Sequence, residues 1–95
     1  MNIEFDDWYQ TYSGITNIVV DMGQGDDTFD ASRLRDVTVN ASGGAGKDKL
    51  YSGFAGGTLN GGAGDDSLDG GAGNDTLIGG LGADTLVGGA NFDTV

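Results

Sequence analysis

Residues 61–89 read GGAGDDSLDGGAGNDTLIGGLGADTLVGG, a nine-residue phrase written three times. A glycine pair opens each copy at Gly61, Gly70 and Gly79. An aspartate follows five residues later at Asp66, Asp75 and Asp84, and a leucine two after that at Leu68, Leu77 and Leu86. A fixed period of this kind marks stacked units, each burying its apolar residue only against its neighbours. In phase with them are GGAGKDKLY at 43–51, SGFAGGTLN at 52–60 with Gly57 in the aspartate position, MGQGDDTFD at 22–30, and GGANFDTV at 88–95. The segment ASRLRDVTVNAS at 31–42 is three residues too long for one unit.

Within a unit, GGxG is a loop, because turns at positive φ and close backbone approach select glycine. The three residues after the aspartate alternate, with the middle one apolar, which makes a short strand with one inward side chain. A lone strand of that length buries nothing, so consecutive units reverse direction and stack. The expected fold is all-β: a parallel β-roll, a right-handed two-sheet solenoid with 18 residues per coil and coils ~4.8 Å apart. Its inward column is Phe29, Leu50, Leu59, Leu68, Leu77, Leu86 and Val95.

The chain has 95 residues and no cysteine, so one small domain or a fragment needs a staple other than a disulfide. Lacking histidine as well, it offers only oxygen ligands, which argues against zinc, haem or iron–sulfur chemistry. Fifteen residues are acidic, 14 of them aspartate, against four basic ones, and the net charge is −11. That surface disfavours nucleic acid and anionic lipid and attracts hard cations. No apolar run approaches the ~20 residues of a membrane span. MNIEFDDWYQ also lacks the basic and apolar regions of a secretory signal peptide, so the chain either stays inside or leaves by a route that reads no N-terminal signal. Of 20 glycines, 17 lie between Gly43 and Gly89, with no proline and with leucine at fixed phase, unlike collagen or a flexible linker.

Because direction alternates, loops two units apart share an edge. Asp48, Asp66 and Asp84 form one column, Asp75 and Asp93 the other. Carboxylates one coil apart repel, and the only basic residues, Arg33, Arg35, Lys47 and Lys49, end at residue 49. A divalent ion between loops resolves the conflict. Calcium accepts about six to eight oxygens in flexible geometry, whereas magnesium demands a tighter octahedron and keeps its waters.

The pattern G-G-x-G-x-D-x-U-x, with U a large apolar residue, resembles the RTX, or haemolysin-type calcium-binding, repeat, closely over 43–95 and loosely over 22–42. The resemblance implies a β-roll with calcium between loops on the same edge. Each ion takes the sixth-position aspartates of both loops, with carbonyls from positions two and four of one and one and three of the other. One ion then lies between Gly44, Gly46, Asp48 and Gly61, Ala63, Asp66, and a second between Gly62, Gly64, Asp66 and Gly79, Leu81, Asp84. On the opposite edge, Gly71, Gly73, Asp75 face Gly88, Ala90, Asp93. A fourth set, Gly23, Gly25, Asp27 with Gly43, Ala45, Asp48, requires that 31–42 preserve the alternation of edges. The pairing of loop 52–57 with 70–75 lacks a carboxylate at Gly57 and is expected to be weak, water-completed or empty. Three to four calcium ions are expected.

The resemblance further implies a module that folds on extracellular calcium, with Kd around 10⁻⁴ to 10⁻³ M, and assists type I secretion and stability of a larger secreted protein. Its partners are then calcium and the type I secretion machinery. Alternatives are a spacer or adhesive segment of a surface adhesin and a non-catalytic part of an RTX-bearing secreted enzyme. The chain holds no HExxH, GxSxG or histidine, so no enzymatic activity is expected of it. Stopping in mid-unit at Val95, it reads as a fragment whose unfinished edge frays or self-associates end to end.

Three regions follow: a flanking, capping segment at 1–21, degenerate repeats at 22–42, and the calcium-binding roll at 43–95. Phe5, Trp8, Tyr9 and Tyr12, with ITNIVVD, read as the cap of the roll, or else as a carbohydrate-binding surface. Glu4, Asp6 and Asp7 read as a solvated turn rather than an acid/base set. Thr58, Thr76 and Thr94 follow ordinary β preference, the alternative being a ladder for ice or polysaccharide. Asp26, Asp65 and Asn74 are expected to be turn formers bonding their own loops, and Lys47 and Lys49 to relieve repulsion at the first complete loop or to be simply solvated.

Overall fold

Alternating turns and three- to five-residue strands wind the chain into two parallel sheets, in a computed structural model that describes residues 16–89 and the backbone of 2–4. Among the described residues there are nine strands and no helix: β1 (Asn2–Glu4), β2 (Asn17–Asp21), β3 (Thr28–Asp30), β4 (Thr38–Ser42), β5 (Lys49–Tyr51), β6 (Gly57–Asn60), β7 (Ser67–Asp69), β8 (Asp75–Ile78) and β9 (Thr85–Val87). Odd-numbered strands form one sheet in the order β1-β3-β5-β7-β9, and even-numbered strands the other, β2-β4-β6-β8. Successive units therefore go to opposite sheets, which is the expected β-roll.

From Asp48 onward one coil takes 18 residues, but Asp27 and Asp48 are 21 apart. The extra residues are absorbed in the turn 31–37, where the Leu34 N–H donates to the Ala31 carbonyl at 3.0 Å. Leu34 and Val37 are buried there while Arg33, Arg35 and Asp36 face solvent. The long unit thus keeps the edges in alternation.

The core is two facing columns. Phe29, Leu50, Leu68 and Leu86 stack in register in the first sheet, and Val20, Ala41, Leu59 and Leu77 in the second. Leu50, Leu59 and Leu68 are fully buried, each worth roughly 1.5–3 kcal/mol of transfer free energy. Met22, Ala31, Leu34, Val37 and Val39 complete the core, and Ile18, Val20 and Leu86 pack partly against it. Val95 lies outside the described residues.

The roll also reaches back into 1–21. Strand β1 pairs with β3, aligning Ile3 with Phe29, and β2 pairs with β4 along its whole length. Phe5, Asp6, Asp7, Trp8, Tyr9 and Tyr12 lie outside the described residues. On the outer face Thr58 pairs with Thr76 and with Asn40, whereas Thr94 is not among the described residues.

Candidate metal centre

One edge of the roll carries a continuous column of aspartates. Asp27, Asp48, Asp66 and Asp84 each stand one residue before a strand of the odd-numbered sheet, where the loop ends. The Asp27 N–H donates to Asp48 Oδ1, that of Asp48 to Asp66 Oδ1 and that of Asp66 to Asp84 Oδ1, each at 2.9 Å. Asp27, Asp48 and Asp66 are buried, and Asp84 is half-buried. The remaining oxygens, Asp48 Oδ2 and Asp66 Oδ2, are buried with no hydrogen-bond partner. Burial pushes the Asp48 carboxyl up to about 6, against a lowering backbone bond from Asp27, and the charges of Asp66 and Asp27 push the same way as burial. Asp66 is raised for the same leading reason, with the Asp84 charge adding.

The first glycine of each loop makes room for this carboxylate. A Cβ at Gly43, Gly61 or Gly79 would stand 2.6, 2.6 or 2.7 Å from Oδ2 of Asp48, Asp66 or Asp84 of the same unit. The second and fourth glycines bring successive coils together. At Gly62 (φ +85) a Cβ would lie 2.3 Å from the Gly44 oxygen, and at Gly64 (φ +110) 2.1 Å from the Gly46 oxygen. The carbonyls of Gly44 and Gly46 therefore point across the gap spanned by Asp48 and Asp66, and Gly23/Gly25 stand likewise under Gly44/Gly46, and Gly62/Gly64 under Gly80/Gly82. At position three, the carbonyls of Ala45, Ala63 and Leu81 accept the N–H of Gly25, Gly46 and Gly64 at 3.0, 3.1 and 3.0 Å, leaving each one further lone pair.

Among the described residues no three acidic side chains converge on one point. An ion on this edge would draw on two carboxylates and the facing carbonyls. That hard-oxygen set, with buried carboxylate oxygens left unbonded, fits calcium. A family model described as RTX calcium-binding nonapeptide repeat, in four copies, matches residues 40–59, 53–86 and 60–95, together more than half of the chain. The chain belongs to the RTX calcium-binding repeat family. It is a calcium-binding β-roll module. No curated protein and no solved structure gives a significant match. Among the described residues no helix is long and apolar enough to cross a membrane.

The second edge of this RTX roll is built differently. Its sixth-position residues, aligned by the strand register, are Ile18, Val39, Gly57 and Asp75. Only the last is a carboxylate, and it is 2 % exposed. Gly71, Gly73, Asp75 and Gly88 all lie on this edge, while their expected partners Ala90 and Asp93 fall outside the described residues. Lower on the edge the loops 31–37 and 52–57 close on each other directly. The Phe54 N–H donates to the Leu34 carbonyl at 2.8 Å, and the Arg35 guanidinium lies 5.1 Å from the centre of the Phe54 ring.

Two features of the RTX loops were not legible in the repeat. Asp21, Asn60 and Asp69, two residues before the second glycine, accept the N–H of Gly23, Gly62 and Gly71 at 3.1, 3.2 and 3.0 Å. These Asx turns start the loops, and the short polar residue at position nine is their signal. Asp26 and Asp65 bond across coils rather than within their own loops, accepting the N–H of Lys47 at 2.8 Å and of Ala83 at 2.9 Å. The acceptor lies one coil away from the amide, so stacking, not the local turn, decides the bond. Lys47 and Lys49 are exposed, and with Asp48, Asp65, Asp66, Ser67, Ala83 and Thr85 they line a groove of about 270 Å³.

Proposed function

We propose that calcium sits in the gaps of the aspartate column and that its binding completes the fold of this module outside the cell. The ligands are Gly44, Gly46, Asp48 with Gly61, Ala63, Asp66; Gly62, Gly64, Asp66 with Gly79, Leu81, Asp84; and Gly23, Gly25, Asp27 with Gly43, Ala45, Asp48. A further ion on the second edge uses Gly71, Gly73, Asp75 with Gly88, Ala90, Asp93. The total is three to four ions. The observation that carries this reading is the pair of buried, unbonded oxygens Asp48 Oδ2 and Asp66 Oδ2 one coil apart. Two such charges taken out of water repel each other and lose hydration, and a divalent ion between them offsets both costs.

Calcium binding then appears directly as folding free energy. With a net charge of −11 the metal-free chain is poorly held, and it condenses where calcium reaches millimolar levels. That behaviour suits export of a larger secreted protein by a type I system, which passes the chain unfolded. Within the module, 22–42 serves as degenerate repeats and 1–21 as a flanking, capping segment. It is a non-catalytic part, since its buried carboxylates serve coil-to-coil bonds and ions.

Far-UV circular dichroism during a calcium titration tests the reading, with magnesium as control and Asp66→Ala as second sample. Cooperative gain of β signal with calcium alone, and a rightward shift for the variant, is the expected result. A spectrum already folded in chelator and indifferent to calcium would overturn it.

A further inference from the structure

Loop 52–57 lacks the sixth-position aspartate, and no aspartate fits there. A Cβ at Gly57 would stand 2.2 Å from the Val39 oxygen. The same loop is also the one whose first residue is a serine. We propose that Ser52 is a calcium ligand, its hydroxyl standing in for the missing carboxylate and forming with Asp75 a further site between loops 52–57 and 70–75. The inference rests on the calcium reading of the first edge and extends it to a gap that the repeat pattern leaves weak, water-completed or empty.

The backbone places Ser52 as a first-position residue. Its N–H donates to the Asp69 carbonyl at 2.9 Å, as those of Gly43, Gly61 and Gly70 donate to Asn60, Ile78 and Val87 at 2.8 Å. In those three units a Cβ on the first glycine would come within 2.6 Å of the carboxylate Oδ2 of Asp48, Asp66 or Asp75. The Ser52 side chain therefore projects into the volume that a carboxylate fills elsewhere. Residue and site have exchanged roles: glycine at one and aspartate at six becomes serine at one and glycine at six.

The hydroxyl is in the right condition to bind an ion. Ser52 is 2 % exposed, and its Oγ has no hydrogen-bond partner. An unbonded buried hydroxyl costs free energy that a cation would return. Asp75, 2 % exposed, closes the gap from the next coil. The oxygens of Gly53 and Ser52 face Gly71, at 3.0 and 3.2 Å from where its Cβ would be, looser than the 2.3 Å at Gly62. Met22 shows that a side chain at position one is no sign of a ligand by itself, since its unit keeps Asp27. What distinguishes Ser52 is an oxygen, buried and unbonded, where the carboxylate is missing. With one carboxylate instead of two, the site is weaker than those of the first edge, because ligand charge sets calcium affinity.

Calcium calorimetry on the full chain tests this, comparing the unmodified protein with Ser52→Ala and Asp66→Ala, and with circular dichroism at saturating calcium to show that each variant is folded. Ser52→Ala removes one oxygen and keeps the Cβ. The expected result is loss of the weakest ion with the tighter sites unchanged, whereas Asp66→Ala loses the two ions that Asp66 would hold. If Ser52→Ala binds the same number of ions with the same affinities while Asp66→Ala loses its own, the hydroxyl is not a ligand and the first-edge reading stands. If the unmodified chain takes up no calcium, both readings fall.

Discussion

The backbone N–H of Asp48 donates to Oδ1 of Asp66 at 2.9 Å, and the bond recurs from Asp27 to Asp48 and from Asp66 to Asp84. One carboxylate oxygen of Asp48, Asp66 and Asp84 thus joins two coils, and the second oxygen of Asp48 and of Asp66 is left for an ion. The two tasks can be separated by substitution.

Asp66→Asn keeps an acceptor for the Asp48 N–H and removes the charge. In metal-free buffer it is expected to retain more residual β signal than the unmodified chain, because a buried unpaired charge is gone. In calcium the order reverses. Asp66→Ala is worse than the parent in calcium by more than the ~1.5–3 kcal/mol of a hydrogen bond to a charged group. Far-UV circular dichroism in chelator and thermal unfolding in calcium read the two signs.

Stability depends on pH in opposite directions with and without metal. Asp48 is held at about 6 in the folded metal-free chain against an ordinary 3.8. The folded state therefore keeps the proton between those values. Its contribution is fully present below about 3.8 and is lost as pH rises through about 6. Calcium requires the charged carboxylate, so apparent calcium affinity rises over the same window. Across that window residual β signal in chelator should fall with pH, whereas the melting temperature in calcium should rise with pH.

Gly25→Ala and Gly64→Ala separate backbone strain from coil-to-coil approach. Both glycines have positive φ, +104 and +110, but a Cβ at Gly25 meets only Asp27 Oδ1 at 4.0 Å, while one at Gly64 would stand 2.1 Å from the Gly46 oxygen. Gly25→Ala is expected to cost about 1–3 kcal/mol, the usual strain of such a conformation. Gly64→Ala costs clearly more and also displaces a proposed ligand carbonyl. Urea unfolding in saturating calcium measures the difference.

Leu68→Ala opens a cavity in the middle of the column, where the side chain is fully buried between Leu50 and Leu86. A loss of about 2–5 kcal/mol is expected. Leu86→Ala, only partly buried, costs less, and the same urea experiment ranks them.

The period of nine made the downstream half of this arrangement readable. It located β5 to β9, the buried leucines 50, 59, 68 and 77, and the aspartate column, because the glycines fix where each loop ends. Upstream that phase disappears. Val39 and Ala41 alternate inward along β4, and Ile18 and Val20 along β2, yet no GGxG marks their loops, so the nine-residue phase does not point to them as core. The three additional residues of 31–42 hide the register until the turn at Ala31–Leu34 is seen to absorb them. Bonds between coils, such as Asp65 to Ala83, join residues 18 apart and have no local signature. Ser52 was visible only as a break in the pattern. Its meaning depends on burial and on a missing partner, which sequence does not carry.

Anomalous diffraction from crystals grown in calcium tests the central claim most directly. Peaks between Asp48 and Asp66 and between Asp66 and Asp84, each within about 2.3–2.6 Å of carboxylate and carbonyl oxygens, are the predicted result. A fully ordered roll with no peak in either gap would contradict it.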